Sequence, residues 1–462
     1  MKVSKFGGSS LADGHQLQRV FNIVNADSNR KIIVVSAPGK RFTDDIKVTD
    51  LLIKYAEATI NDQNTETIIS DIKQRYHDIA YHFGLPQESL TDIDQQIDHL
   101  AKKHYRSFDY LFAAFAAHGE YLNAQLIAKV FTYLGLPARF IDPKQIGLLV
   151  DDNARSATFN TQSYETIAKL DLSTSERLII PGFFGYTNNG DMATFSRGGS
   201  DITGAIMARA LSADLYENFT DVSAIYAVNP NIITHPAAIH QMTYDEMREL
   251  SYAGFAVFHD EAIIPAIQGG IRINIKNTND PDAPGTFIVP PTEVQETRPV
   301  TGIANSNRFA ALYLHRYLLN KEVGFTLRIL EILKRHNISY EHMPSGIDDL
   351  TIIFDKTNLS QDKVDAMLAD IAADIRPDTL KWLPSYGIIM IVGEGMRNRI
   401  GALTEIVTPL KENGISLQMV NQGASEISIM LGIQPDLADS AVKAIYNNCL
   451  LYTSDAADDM QC

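Results

Sequence analysis

The chain repeats itself in its last third. Setting Gly324–Ser339 over Gly401–Ser416 at a fixed offset of 77 gives six identities in sixteen positions: Gly324/Gly401, Ile329/Ile406, Leu333/Leu410, Lys334/Lys411, Ile338/Ile415 and Ser339/Ser416. The match continues without a gap. Gly346 falls on Gly423, Thr351–Phe354 on Ser428–Leu431 and, upstream, Ala310–His315 on Gly387–Val392. Each copy therefore reads as strand, glycine-entered amphipathic helix, strand, turn, strand. A unit of about 70 residues buries little apolar surface alone, so the copies are expected to pair with each other and across subunits. Pro409 falls inside the second copy's helix and predicts a kink.

Ahead of the repeat the pattern differs. From residue 1 to about 290, short β-rich runs alternate with helical patterns, as in a parallel sheet covered by helices. Strand candidates are Lys31–Val35, Ala138–Ile141, Leu178–Pro181 and Ile271–Ile275; their unbroken apolar character suits strands buried on both faces. Ser107 to Leu134 reads as one long helix with an Ala-rich face. Pro281, Pro284, Gly285, Pro290 and Pro291 crowd into eleven residues and mark a domain boundary. The expected divisions are 1–292, 300–380, 384–448 and a final 449–462, which lacks either period and reads as a non-native tail.

Composition narrows the function. With 40 Lys+Arg against 56 Asp+Glu, the formal charge is 40 − 56 = −16, which offers no basic field for nucleic acid. At 45% apolar and 21% charged residues the chain can build sizeable cores. No apolar run approaches the ~18 residues of a membrane span, and Met1–Gly8 lacks the apolar region of a secretory signal. The only cysteines are Cys449 and Cys462, which excludes a disulfide framework or a cysteine-based metal site. A cytoplasmic protein without nucleic-acid or membrane partners is expected.

Two glycine-rich turns carry the chemistry. The first, Lys5-Phe6-Gly7-Gly8-Ser9-Ser10, follows a short strand and precedes a helical pattern. Paired glycines let backbone N–H groups converge on an anion, and Lys5 sets a point charge beside them. The second, Ser196-Arg197-Gly198-Gly199-Ser200-Asp201, opens a helical run to Leu211 and offers an arginine fork with an acid at the helix start. Either turn alone does no more than ease entry into a helix. Together, one with Lys and one with Arg and Asp, they point to two anionic ligands. Neither G-x-x-x-x-G-K-[ST] nor a strand-following G-x-G-x-x-G is present.

Lys5-Phe-Gly-Gly-Ser-Ser10 combined with Arg197-Gly-Gly-Ser-Asp201 resembles the aspartate kinases of the amino-acid kinase superfamily. Supporting segments are Val34–Ala37, Thr49–Leu52, His118-Gly119-Glu120, Thr220–Tyr226 and Lys276–Thr278, and the likeness runs over residues 1–448. It implies an α/β fold: an αβα sandwich with a mainly parallel central sheet, then two ACT-like βαββαβ (ferredoxin-like) modules. It implies transfer of the γ-phosphoryl of ATP, with Mg²⁺, to the side-chain carboxylate of aspartate, the first step toward lysine, threonine and methionine. Such a transfer needs charge neutralisation and alignment more than covalent chemistry.

By the same resemblance Lys5 and Asp201 are catalytic: Lys5 stabilises the phosphoryl group and Asp201 orients Lys5. Gly7, Gly8 and Ser9 donate to the ATP phosphates, with Ser36, Thr220, Asp221 and Tyr226 as further nucleotide contacts. Arg197 pairs with the α-carboxylate of aspartate, Glu120 accepts its α-ammonium, and Thr49 and Ser200 complete the pocket. No protein-held metal is implied. An amino-acid effector, lysine, threonine or both, is expected near Val323-Gly324-Phe325 and Ser345, Gly346 and Asp348. The ACT modules imply a homodimer or a larger assembly. His259 reads as structural, because an ionised acceptor carboxylate needs no base.

The sequence departs from the family pattern at three places. Asn229-Pro230-Asn231 stands where many relatives have Asp-Pro-Arg, Gly254-Phe255-Ala256-Val257 lacks a lysine, and Pro38–Asp45 is an insertion bringing Lys40 and Arg41 toward the phosphates. The alternatives are another acyl-phosphate-forming amino-acid kinase and an amino-acid sensor with a degenerate kinase domain.

Overall fold

The computed structural model describes residues 1–196, 198–255, 260–294 and 298–451. They form two compact units: Met1–Ile225, Ala238–Met247 and Ala256–Val294 make up the first, and Tyr226–Ala237, Arg248–Phe255 and Gln295–Cys462 the second. The proline-rich boundary near 290 matches the last division. That 226–237 and 248–255 belong with the second unit has no mark in the sequence.

The first unit carries strands β1 (Lys2–Phe6), β2 (Arg30–Val35), β3 (Ala138–Phe140), β4 (Arg177–Pro181), β5 (Phe184–Tyr186), β6 (Met192–Thr194) and β7 (Leu215–Thr220). There follow β8 (Ile225–Tyr226), whose second residue belongs to the other unit, β9 (Ala238–Ile239), β10 (Gln241–Thr243), β11 (Ile273–Asn277) and β12 (Thr286–Val289). Eight strands form one sheet in the order β10-β12-β11-β7-β1-β2-β4-β3. Every pairing in it is parallel except β11 with β12. The four expected strands are β2, β3, β4 and β11.

The main helices of this unit are α1 (Gly14–Ala26), α2 (Val48–Ile60), α3 (Glu66–His82), α4 (Thr91–Leu100), α5 (Phe108–Tyr133), α6 (Ser163–Ile167) and α7 (Gly199–Ala210), followed by α8 (Tyr244–Tyr252), which from Arg248 on belongs to the other unit, and α9 (Ile264–Gln268). Ser107 caps α5 by accepting from the Tyr110 amide, as its position before an apolar run predicts. Phe6, Ile33, Val35 and Phe219 share one core with α1, α2, α3 and α5. Successive strand side chains point to opposite faces, so Lys5 points away from that core, toward α7. Helices therefore cover both faces, and the central strands are buried: all of Val3–Phe6 and Arg177–Pro181 are inside, while edge strand β3 is partly exposed.

In the second unit the offset of 77 holds residue for residue. β13 (Gly302–His315) maps onto β15 (Thr379–Val392), and α10 (Phe325–Arg335) onto α12 (Ala402–Glu412). Each of these helices starts from a glycine in the left-handed region, Gly324 at φ 82° and Gly401 at φ 85°, which explains the conserved spacing of that residue type between the copies. The remaining elements are β14 (Asp349–Asp355), α11 (Gln361–Ile375), β16 (Met419–Gln422), β17 (Ser428–Ile433) and α13 (Ala438–Tyr446). One five-stranded sheet results, ordered β14-β13-β15-β17-β16. β13 and β15 run antiparallel at its centre, Gly302 opposite Val392 and His315 opposite Thr379. The far half of β13 pairs with β14, while the far half of β15 pairs with β17. Each 14-residue strand thus serves both copies, and the paired burial that a lone copy lacks is met within one chain.

Pro409 does not end α12. A proline cannot donate to the carbonyl four residues back, and that carbonyl, Glu405, instead accepts from Asn448 Nδ2 at 3.0 Å. Packing continues past Asn448: Asn447–Leu451 form a π-helical turn in which Cys449 and Leu450 are buried. Residues 452–462 lie outside the described residues.

Candidate active site

Parallel strands collect their following loops at one edge. Phe6 is level with Val35 and Phe219, and Val35 with Pro181, so Gly7, Ser36, Gly182 and Thr220 all sit at the carboxyl end of the sheet. That end is where open α/β sheets bind ligands.

Lys5 is buried at 7% exposure, and its Nζ lies 2.6 Å from Asp201 Oδ1. Asp201 is in the first turn of α7. The same oxygen accepts from Asn218 Nδ2 at 2.6 Å, and Tyr216 Oη donates to the Asp201 carbonyl at 3.2 Å. Lys5 and Asn218 are level neighbours on β1 and β7, so the sheet register itself aims both at one carboxylate. Asn218 had a signal in the sequence: Glu217-Asn218 interrupts an otherwise apolar run, and buried polar side chains must find partners.

The first glycine turn lies beside this pair. Gly7 donates its amide to the Phe219 carbonyl at 3.2 Å, and a Cβ there would be 3.6 Å from Lys5 Nζ. The turn Gly8–Leu11 starts immediately after, leaving the Gly8 and Ser9 amides without an acceptor inside the turn. Gly39, from the 38–45 segment, donates to the Gly8 carbonyl at 2.9 Å. A Cβ on Gly39 would fall 2.6 Å from the Gly8 carbonyl carbon, so these backbones touch. The second turn is arranged similarly: Gly198 caps α7 at φ 66° with no side-chain cap, which leaves the leading amides of a 12-residue helix open.

Glu120 is 6% exposed, and its Oε2 has no hydrogen-bond partner among the described residues. Burial pushes its carboxyl up to about 8, although the Ala37 and Glu120 amides favour the charged form. Neighbouring Gly119 packs on Ala37 and Thr49: a Cβ there would lie 2.8 Å from Ala37 Cβ and 3.5 Å from Thr49 Oγ1. Ser36 donates its amide to the Phe6 carbonyl at 3.2 Å and accepts from Asn123 Nδ2 at 2.7 Å. Ser200 is buried against Gly182, where a Cβ would stand 2.6 Å from Ser200 Oγ. Between them Phe183 holds φ 77°, a costly backbone for a bulky residue and a mark of functional constraint. Nothing in the sequence singled out Asn123 or Phe183.

Other expected residues are more dispersed. Thr220 ends β7, bonded to exposed Asp221 at 3.1 Å. Tyr226 ends β8 and belongs to the second unit, as do Asn229–Asn231. Arg197 and His259 lie outside the described residues, as do Ala256 and Val257. Arg41 is tied down rather than free: it grips Asp45 at 2.9 Å, and Arg75 reaches the same carboxylate at 3.0 Å. Lys40 donates to the Thr43 carbonyl at 3.2 Å. No three His, Cys, Asp or Glu converge on a metal position among the described residues, and none of their helices is long and apolar enough to cross a membrane.

In the second unit the segment leading to Val323–Phe325 meets the turn that holds Asp348. Leu318 donates to Asp348 Oδ1 at 2.7 Å, and Asn320 to the Ile347 carbonyl at 3.2 Å. Val323 is fully exposed, Phe325 is buried, and Ser345 and Gly346 are exposed. The second copy's counterpart loops border an open surface depression of about 360 Å³ lined by Asn398, Arg399, Ile400, Gln422 and Glu426 among others.

Comparison with known proteins agrees with this geometry. The amino acid kinase family matches residues 1–277, and the ACT domain matches 389–448. Aspartokinase 3 of Bacillus subtilis (strain 168) is 44% identical over 449 residues, covering 96% of this chain and 98% of the relative. Lysine-sensitive aspartokinase 3 of Escherichia coli (strain K12) is 25% identical over 456 residues, covering 96% and 98%. The crystal structure of Clostridium acetobutylicum aspartate kinase superimposes with a TM-score of 0.88 at 38% identity, over 97% of this chain and all of that one. A buried lysine–aspartate pair at the carboxyl edge of a parallel sheet, glycine turns on either side and near end-to-end likeness to such relatives together show that this chain belongs to the aspartokinases of the amino acid kinase family.

Proposed function

We propose that the chain transfers the γ-phosphoryl group of ATP to the side-chain carboxylate of aspartate, giving 4-phospho-L-aspartate and ADP. The observation that carries this reading is the Lys5–Asp201 contact of 2.6 Å at the carboxyl edge of the sheet. A metaphosphate-like group in flight carries negative charge that a preorganised ammonium stabilises without reorganisation. Asp201 holds that ammonium in place, and Asn218 holds Asp201. The Gly7, Gly8 and Ser9 amides bind the phosphates, and Ser36, Thr220 and Asp221 contact the nucleotide.

Aspartate binds between α5 and α7. Glu120, whose Oε2 is buried without a partner, takes the α-ammonium; Thr49 and Ser200 line the pocket and Arg197 forks onto the α-carboxylate. Mg²⁺ would be held mainly by the phosphates, as its preference for phosphate oxygens and water permits, and would supply charge neutralisation there. The acceptor is already an anion, so alignment and charge replace general-base chemistry.

The paired repeats act as the regulatory half, two ACT modules that bind an amino-acid effector at the loops around Val323–Phe325 and Ser345–Asp348. Support comes from the meeting of the segment leading to Val323–Phe325 with the turn that holds Asp348, and from relatives named as lysine-sensitive and as allosteric. Lysine and threonine are the effectors to try. The enzyme works in the cytoplasm as a homodimer or larger assembly, supplying acyl phosphate for synthesis of lysine, threonine and methionine.

Hydroxylamine trapping tests the acceptor. With MgATP, aspartate should give hydroxamate while glutamate and acetylglutamate stay at background. Hydroxamate from either of those acceptors but not from aspartate would assign the chain to another amino-acid kinase activity.

A further inference from the structure

The first unit contains a second polar pocket, away from Lys5 and Glu120. It has a volume of about 290 Å³, close to the ~300 Å³ lower end of small-molecule sites. Its lining includes Lys103, Tyr110, His118, Tyr121, Tyr186 and Asp191, from the loop after α4, one face of α5, and the β5–β6 hairpin. His118 and Glu120 share α5, but two residues turn a helix by about 200°, so they face opposite ways.

Two groups in this pocket lack partners. His118 is 3% exposed, and its Nδ1 lies 2.6 Å from the Ala114 carbonyl. A carbonyl only accepts, so Nδ1 carries the proton and Nε2 is left as a bare acceptor on the far side of the ring, with no partner among the described residues. Burial lowers this imidazole to about 4, with the Lys103 charge adding to the effect, so it stays neutral at physiological pH. Lys103 reaches the pocket from an exposed loop position; desolvation lowers its pKa, and no carboxylate acts against that. The acids nearby are already engaged. Asp191 pairs with Arg106 at 3.4 Å. Tyr121 donates to Asp142 at 3.1 Å, and Tyr110 to Asp152 at 2.6 Å.

A complementary ligand must bring an anion for Lys103 and a hydrogen-bond donor for His118 Nε2, within a small aromatic-walled space. We infer that this pocket binds a compact α-hydroxy or α-amino carboxylate, its carboxylate on Lys103 and its hydroxyl or ammonium on His118 Nε2. The site is separate from the phosphoryl-transfer centre and does not depend on that assignment.

The test uses the full chain with histidine labelled at Cε1, saturating aspartate and ADP to fill the kinase site, and constant ionic strength. Glycolate, glycine and acetate are titrated while the His118 resonance, identified by its absence in His118→Gln, is followed by NMR. Glycolate or glycine should shift that resonance saturably in the millimolar range, and whichever binds tighter names the source as hydroxy acid or amino acid. Acetate, which lacks the donor, should bind at least tenfold more weakly, and so should either ligand to Lys103→Met. No saturable shift from glycolate or glycine, acetate binding as tightly, or undiminished binding by Lys103→Met would each overturn the proposal. The acetate comparison needs no variant, so a folding defect cannot mask the answer.

Discussion

Asn218 and Lys5 stand level on adjacent parallel strands, and both reach Asp201 Oδ1 at 2.6 Å. The carboxylate that anchors the ammonium is thereby itself held by Asn218. Asn218→Leu keeps the lysine but removes a donor worth about 1 kcal/mol. Its kcat should fall roughly fivefold with the KM for aspartate unchanged, as steady-state ADP release would measure. An unaltered kcat would reduce Asn218 to a packing residue.

Glu120 gives the pH dependence a sign. Its folded-state carboxyl sits near 8 against an ordinary 4.5, so the free enzyme holds a proton there at neutral pH. An α-ammonium needs the carboxylate, so aspartate binding must release that proton. The KM for aspartate should fall by up to tenfold per unit from pH 6 to about 8 and then level off. Glu120→Gln should raise KM and flatten the profile. The same raised value makes the unliganded protein lose stability as pH climbs from about 4.5 to 8, because the unfolded chain gives up its proton first. Thermal unfolding across that range reads this directly.

Gly39 touches the Gly8 backbone so closely that any side chain must displace the phosphate turn. Gly39→Ala should raise the KM for ATP by tenfold or more, roughly 1.4 kcal/mol, while the KM for aspartate stays within twofold. Equal damage to both constants would place the turn outside nucleotide binding.

Much of this was legible beforehand, and the reasons differ by residue. The offset of 77 was visible because each copy needs a left-handed glycine before its helix and the same apolar spacing after it. Lys5 and Asp201 were visible as charges beside paired-glycine turns, and their roles came from the likeness of those two turns to the aspartate kinases. Asn218 was half-visible, as a polar residue in a buried strand. Phe183 was not, since a positive φ on phenylalanine is imposed by surrounding packing rather than by local sequence. The sharing of β13 and β15 between copies was also hidden: strand pairing partners are a tertiary choice, and alternation alone does not name them. The pairing of Arg41 with Asp45, which Arg75 shares, was hidden for a similar reason, because their approach is set by the fold of the loop.

The carboxyl terminus offers a stability test. Cys449 and Leu450 are buried, and Asn448 satisfies the carbonyl that Pro409 leaves free. A chain ending at Leu451 should unfold at the parent's temperature. One ending at Asn448 loses two buried side chains, a cost of about 2–4 kcal/mol, and should melt several degrees lower by calorimetry. Identical melting of the two would mean that the last turn contributes no stability.

The most direct measurement is the aspartate-dependent rate of ADP formation by Lys5→Ala beside the parent, each with saturating MgATP. Loss of the buried ammonium should cut kcat by at least ~10²-fold while circular dichroism stays native. A Lys5→Ala enzyme turning over aspartate at the parent's rate would contradict phosphoryl transfer at this lysine.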